Sequence, residues 1–282
     1  MFLKQATLSF HFSYQSTINN FIKTSMKNII VSLLICCSYF PVSVKANEPL
    51  KQLLNDFIST DWPTVLLAKE KIENRESEGI SEIIALMDNC TIYKLENTGD
   101  LIYPGADKFF GHGQIIDYDI DIACIRAGWI LEEITFRNFG FTGIHLPAGE
   151  LADFVRKTFP EYTASSTKSL DQMDESEKRN LIRKLSIENA KTWWQNSSRQ
   201  WSRLTALEQA LSSKDEKCQV KALFYLRNGR TICTGLNQKF YKTKLSKVIN
   251  RLSNSETGRV SENAKLIMLD SDFSWLALKP VQ

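Results

Sequence analysis

The sequence predicts an α+β fold: a mainly helical N-terminal part, then a smaller C-terminal part containing a β-hairpin, a helix and one or two further strands. Two observations predict this fold. Apolar residues recur at helical spacing through most of the chain. The pair Asn228-Gly229 stands between two apolar runs, which is a strong signal for a two-residue hairpin turn. The 282 residues, of which 43% are hydrophobic, can build the packed core of one or two domains.

The N-terminal part begins with a predicted helix pair within residues 61–96. Asp61 can cap the first helix, and Pro63 fits its first turn because a helix needs no N–H donor there. Gly79 separates this helix from a second, shorter one that ends near Asn89. The unit resembles a HEAT-type helix pair, although no repeat of fixed period follows it.

A loop and a buried helix complete the N-terminal part. Residues 97–118 contain glycines and a proline at positions that forbid a long helix, so they predict a structured loop with aromatic side chains. Residues 119–139 predict a buried helix, with Glu132 and Glu133 marking its polar side. A short helix is predicted over 147–158.

The C-terminal part follows a polar stretch at 164–173. Its predicted elements are two amphipathic helices at about 174–195 and 198–212, the hairpin over 218–236, a helix over 239–252, and strands at 264–269 and 273–278.

Residues 26–46 have the composition of a secretory signal peptide. Lys27 supplies the positive start, an apolar stretch of about a dozen residues follows, and Ala46 suits signal peptidase. The apolar stretch is short for a bilayer span, so we expect cleavage after Ala46 in preference to an N-terminal anchor. Residues 1–25 are interpreted as a spurious upstream extension. We therefore expect a periplasmic or secreted protein with no stable membrane insertion after cleavage.

Charge is unevenly distributed along the expected mature chain. Residues 47–282 hold 31 basic and 32 acidic residues, net −1, which gives no electrostatic support for nucleic acid as a partner. Residues 47–160 carry net −9 and residues 161–282 carry net +8. We interpret these as a helical acidic domain and a basic α+β part. The two charges either neutralise each other or steer an oppositely charged partner.

Four cysteines remain in the mature chain: Cys90, Cys124, Cys218 and Cys233. An even number in an exported chain indicates disulfide bonds. If the hairpin forms, Cys218 and Cys233 lie roughly 20 Å apart along the ladder, too far for a direct bond. A Cys90–Cys124 pair and pairs that link the two parts remain open, as do buried free thiols.

The first candidate surface is the glycine-rich loop and the aspartates after it, because rigid scaffolds often present function on loops. Its residues are Tyr103, Phe109, Phe110, His112, Asp117, Asp119 and Asp121. His112 and these aspartates, with His145 or Glu133, have the chemistry to bind a divalent cation. The simpler alternative is that Asp117 or Asp119 caps the following helix. We predict neither a resident metal nor a cofactor.

A second candidate surface combines tryptophans with basic and amide side chains, as in carbohydrate-binding surfaces or protein interfaces. Its residues are Lys191, Thr192, Trp193, Trp194, Gln195, Asn196, Arg199 and Trp201. The alternative, which we favour, is that these tryptophans pack in the core.

The leading functional hypothesis is an exported, non-catalytic protein that binds another protein. It would act as an inhibitor or immunity-type protein against a secreted toxin or a cell-wall enzyme, with the acidic part as its contact surface. The sequence lacks the common signatures of serine hydrolases, zinc proteases and P-loop enzymes. The alternatives are a cell-envelope hydrolase that uses His112 with Asp117 or Asp119, and a structural scaffold.

Overall fold

The fold is described from a computed structural model, which covers residues 49–108, 113–165, 169–228 and 233–269. These residues belong to one structural unit that begins at Pro49. Their α-helices are α1 (Leu50–Phe57), α2 (Trp62–Glu73), α3 (Ile80–Leu86), α4 (Ala123–Thr135), α5 (Leu151–Thr158), α6 (Pro160–Ser165), α7 (Glu175–Ser197), α8 (Arg203–Ser212), α9 (Glu216–Asn228), α10 (Gln238–Phe240), α11 (Ser246–Leu252) and α12 (Gly258–Leu269).

Shorter elements connect these helices. Two-residue strands β1 (Leu101–Ile102) and β2 (Gln114–Ile115) pair in parallel, with Leu101 opposite Gln114. Four 3-10 turns and one π-helical turn complete the described elements: Glu76–Gly79, Phe141–His145, Ala148–Glu150, Leu170–Gln172 and, between α10 and α11, Tyr241–Leu245.

The predicted α+β class is wrong, because the fold is mostly helical and the described ranges contain only two short strands. The region expected to form the first hairpin strand is helix α9. The strand predicted at 264–269 lies in α12, where Val260, Ala264 and Ile267 are buried at helical spacing. Asn228, the first residue of the expected turn, is the last residue of α9. Gly229, the second turn residue, and the strand predicted at 273–278 lie outside the described residues.

The predicted helix pair is present as α2 and α3. The Asp61 carboxylate accepts a hydrogen bond of 3.1 Å from the backbone N–H of Thr64, and a proline occupies the first turn of α2. These local signals satisfy donors that would otherwise lack a partner, so they fix where the helix begins.

Helix α4 is buried along nearly its whole length. The burial includes Arg126 and Glu132, neither of which is exposed to solvent. Glu132 was expected on the polar side of the helix, and that expectation is wrong because other segments supply its hydrogen-bond partners. The helix ends at Phe136, whose positive φ of 55° turns the chain away from the helix axis.

Two hydrophobic clusters form the core. The first is built mainly from residues of α1 to α7, and the second from residues of α8 to α12. Phe136 is an exception, since it follows α4 but packs in the second cluster, with its ring centroid 5.1 Å from that of Tyr225. Trp201 packs against both clusters, so the two clusters meet around the end of α4 and the start of α8.

Within the described ranges, each helix is too short or too polar to cross a bilayer.

Candidate functional site

A disulfide bond joins Cys90, just after α3, to Cys124 in the first turn of α4. Their Cα atoms lie 4.8 Å apart and the two residues are separated by 34 positions. Residues 91–123 therefore form a covalently closed segment, named here the closed loop. It contains every residue of the first candidate surface. Cys218 and Cys233 are free thiols, and burial raises the pKa of each to about 11.

The guanidinium of Arg126, on α4, anchors the closed loop through hydrogen bonds to backbone carbonyls. Its Nη1 donates to the carbonyls of Phe57 and Ser59, each at 2.8 Å. Its Nη2 donates to the Tyr93 carbonyl at 3.1 Å, and its Nε donates to the Ile120 carbonyl at 2.5 Å. Burial lowers the pKa of Arg126 to about 10, so the side chain remains charged at neutral pH. One side chain thus fixes both ends of the closed loop and the end of α1.

Asp121 organises the interior of the closed loop. Its Oδ1 accepts hydrogen bonds of 2.8 Å from the N–H of Leu95 and from the hydroxyl of Tyr103. Its Oδ2 lies 3.2 Å from the Nζ of Lys94. Because Asp121 and Tyr103 are buried, these two candidate residues support the loop from inside. Burial and the Asp121 carboxylate raise the pKa of Tyr103, so its hydroxyl stays protonated as a donor.

Asp119 and His145 meet at the edge of this interior. The N–H of Asp119 donates to Nε2 of His145 at 3.0 Å, so that nitrogen carries no proton. Burial and nearby Arg179 lower the pKa of His145 to about 4. Burial and the Asp121 carboxylate raise the pKa of Asp119, whose Oδ1 has no hydrogen-bond partner among the described residues. A Cβ at Gly105 would lie 2.5 Å from that oxygen, so the close approach requires glycine.

The described residues contain no group of three side chains arranged to hold a metal ion. Glu133, named as a further metal ligand, instead accepts from Nε1 of Trp129 at 2.5 Å and pairs with Lys69 at 2.6 Å. The N-cap of α4 is Ile122, without a side-chain cap, so neither Asp117 nor Asp119 caps this helix.

Tyr118, near the end of the closed loop, connects the loop to α9. Its hydroxyl donates to Glu132 at 2.5 Å, and Lys221 bonds both the same carboxylate and, at 2.9 Å, the Tyr118 oxygen. Burial and the Glu132 charge raise the pKa of Tyr118 well above its ordinary value. This network leaves Glu132 fully satisfied and shielded from solvent.

Two isoleucines and three carboxylates of the closed loop, Ile92, Ile115, Glu96, Asp100 and Asp117, are exposed, and this set is named here the outer face. Ile92 and Ile115 expose 68% and 71% of their surface, which is unusual for isoleucine. The exposed carboxylates of Glu96, Asp100 and Asp117 have no ion pair within the described ranges. The sequence interpretation included Asp117 but missed both isoleucines, because apolar residues in a loop normally indicate burial.

Three residues of the first candidate surface, Phe109, Phe110 and His112, lie outside the described residues. The proposed pairing of His112 with Asp117 or Asp119 therefore stays a prediction.

The tryptophans of the second candidate surface pack against one another. The Trp193 ring centroid lies 5.4 Å from that of Trp194 and 6.4 Å from that of Trp201, and Trp193 is buried. Nε1 of Trp194 donates to the Ser81 hydroxyl at 3.0 Å, and Lys191 pairs with an aspartate at the end of α3. This part of α7 therefore packs on α3, while Asn196 and Arg199 remain exposed beyond it.

No protein-family model, no curated protein and no solved structure matches the chain significantly.

Proposed function

We propose that the chain is an exported binding protein that recognises a protein partner through the outer face of the closed loop. The Cys90–Cys124 disulfide supports work in an oxidising compartment, since such bonds rarely persist in the cytosol. The expected leader at 26–46 lies outside the described residues and is part of the proposal.

The observation that carries the proposal is the exposure of Ile92 and Ile115 on a loop whose backbone is held by buried contacts and a disulfide bond. Exposed apolar side chains on a rigid segment reduce the entropy cost of association, because little must be ordered on binding. The disulfide, Arg126 and Asp121 provide this rigidity through the contacts described above.

The charge of the closed loop indicates the kind of partner. Residues 91–123 contain six carboxylates and two lysines, net −4, and three exposed carboxylates lack an ion pair among the described residues. A basic surface with an apolar centre would complement them, because charge complementarity speeds encounter and excludes wrong partners. An inhibitor or immunity-type protein against a basic toxin or cell-wall enzyme fits this chemistry.

The test compares the mature chain with single variants in capture from periplasmic extract, followed by affinity measurement with the purified partner. Ile115→Lys introduces a positive charge into the acidic face and removes apolar contact, so we expect at least a tenfold weaker complex. Leu67→Lys, on α2 at 56% exposure, is the matched control and should bind as the native chain does. Equal affinities for both variants, or no partner at micromolar concentration, would contradict the proposal.

The export step has its own test. N-terminal sequencing of the protein from a periplasmic fraction should give Asn47 as the first residue, and a cytosolic protein that retains residues 26–46 would contradict this part of the proposal.

A further inference from the structure

A polar cleft of about 610 Å³ lies where the two clusters meet, and no residue of the closed loop is among its lining residues. Its walls come from the end of α4, the last turns of α7, the start of α8, and the N-terminal part of α9. The volume is in the range of small-molecule sites, about 300–1,000 Å³. Junctions between packed bodies are common places for such sites.

The lining of this cleft is mostly neutral and rich in hydrogen-bonding groups. Four primary amides line it: Asn138, Asn196, Gln200 and Gln209. Arg137 and Asp215 are its charged lining residues, one of each sign. A phosphate or a polyanion would need several cations on one wall, which this arrangement lacks. A lipid would need a mainly apolar lining.

Several of these groups have no protein partner. Among the described residues, the side-chain amides of Asn196, Gln200 and Gln209 make no hydrogen bond. Nε1 of Trp201 is buried and also lacks a partner. A buried donor without an acceptor costs about 1–3 kcal/mol, so the N–H of Trp201 calls for an explanation, whereas the three amides are exposed and therefore accessible to water or to a ligand. A ligand with hydroxyl or amide oxygens would satisfy them, since each amide offers both donors and an acceptor.

Two indole rings contribute to the apolar part of this lining, together with Phe136, Ala206 and Ala210. Trp193 and Trp201 both line the cleft, and their planes meet at 89° with centroids 6.4 Å apart. The Arg137 guanidinium lies 5.6 Å from the Trp193 centroid, so the Trp193 ring contacts a cation as well as the Trp201 ring. Rigid aromatic side chains give contact area at low entropy cost, while their polar edges select for hydrogen-bonding ligands.

From these groups we propose that the cleft is a saccharide-binding site that takes a short neutral or N-acetylated glycan. The C–H faces of the sugar would contact the indoles, and its hydroxyl and acetamido groups would bond the free amides. The site uses none of the outer-face residues of the closed loop, so this inference stands independently of the proposed function.

The test titrates the mature chain with N,N′-diacetylchitobiose, with cellobiose, and with inorganic phosphate as the anionic comparison, by calorimetry. We expect saturable binding of at least one sugar at micromolar to millimolar concentration and none of phosphate. The double variant Asn196→Ala/Gln209→Ala should bind at least tenfold more weakly. Gln195→Ala is the matched control, because Gln195 is an exposed amide on the same helix outside the cleft, and it should bind within twofold of the native chain.

Trp201→Phe keeps a ring but removes the unpartnered N–H, so it should weaken sugar binding several-fold. Circular dichroism and thermal unfolding establish that each variant is folded before its affinity is interpreted. Binding of neither sugar, binding of phosphate instead, or equal losses for Gln195→Ala and the double variant would overturn the proposal. Since Ile115→Lys should leave sugar binding unchanged, its effect separates this site from the proposed protein-binding face.

Discussion

Lys221 on α9 donates a hydrogen bond to the carboxylate of Glu132 on α4, and this contact joins the second hydrophobic core to the first. The carboxylate has further donors around it. Phe139 and Gly140 donate their backbone N–H groups to Oε1 at 2.7 and 3.1 Å, and the Tyr118 hydroxyl donates to Oε2. Glu132 therefore sets the path of the chain after α4 as well as the position of α9.

Replacing Glu132 by Ala removes the acceptor of the Phe139 N–H and of the Tyr118 hydroxyl in a buried place. It also removes the carboxylate that balances the charge of Lys221, which keeps hydrogen bonds to the Tyr118 and Arg137 oxygens. We expect the free energy of unfolding to fall by about 3–5 kcal/mol in urea titrations, the range for breaking a buried charge pair. Glu188→Ala on α7 removes a carboxylate that is 56% exposed and should cost less than about 0.5 kcal/mol. Similar losses for the two variants would show that the Glu132 network adds little.

The Cys90–Cys124 bond should stabilise the fold by restricting the unfolded chain. For a closed loop of 34 positions the chain-entropy relation gives about 4 kcal/mol, which the double variant Cys90→Ser/Cys124→Ser should lose. Titration of thiols in the denatured mature chain should find two without reductant and four with it. Four thiols without reductant would mean that the bond does not form.

Arg126→Met should be among the most damaging single changes. Four carbonyl groups would lose their donor inside the protein, and we expect a loss of about 3–5 kcal/mol in unfolding free energy. Arg126→Lys should lose less unfolding free energy than Arg126→Met but should remain less stable than the native chain, since one ammonium offers fewer donors than a guanidinium. Arg259→Met, at an exposed position of α12, is the control and should melt as the native chain does.

Stability should decrease in mildly acidic solution because of His145. Its pKa is about 4 in the folded chain, whereas the ordinary value is 6.5. Between these two pH values His145 is therefore protonated in the unfolded chain and neutral in the folded chain. The stabilising contribution is complete above pH 6.5 and is lost as the pH falls toward 4. Partial exposure limits the loss to about 1–2 kcal/mol. Thermal unfolding of His145→Gln should change less over this interval, and an identical pH profile would exclude His145 as the cause.

Gly128→Ala tests how closely α4 is packed. A Cβ there would lie 2.4 Å from a ring carbon of Phe141, so the ring must shift, at a cost of about 1–3 kcal/mol. A Cβ at Gly149 has no atom within 4 Å, which makes Gly149→Ala the matched control. Equal melting temperatures for the two variants would contradict this packing.

Helix starts were predictable where a local signal decides the structure. Asp61 and the proline of the first turn mark α2 because they satisfy or remove donors at that end, whatever the rest of the chain does. The hairpin prediction failed because Asn-Gly is also a typical helix ending, and Ala222, Leu223 and Leu226 of α9 are buried on one helix face. The distant packing of α9 against α8 and α12 decides between the two structures.

The candidate surface was predictable as a segment more than as a set of side chains. Glycines and aspartates marked the closed loop, but the sequence did not reveal that Asp121 and Tyr103 face inward whereas Ile92 and Ile115 face outward. That difference depends on long-range partners such as Leu95 N–H, which no local spacing specifies. The cleft was predictable in part, because Trp193, Asn196 and Trp201 belong to the second candidate surface, but Asn138 and Gln209 join them only when α4, α7 and α8 pack.

Phe136 belongs by sequence to the end of α4, yet its side chain fills a place among residues of α8 to α12. Unfolding of either cluster would therefore remove packing partners from the other. We expect that neither cluster persists alone as a folded intermediate. Thermal unfolding of the described unit should consequently occur in one cooperative transition, although the unit has two hydrophobic clusters.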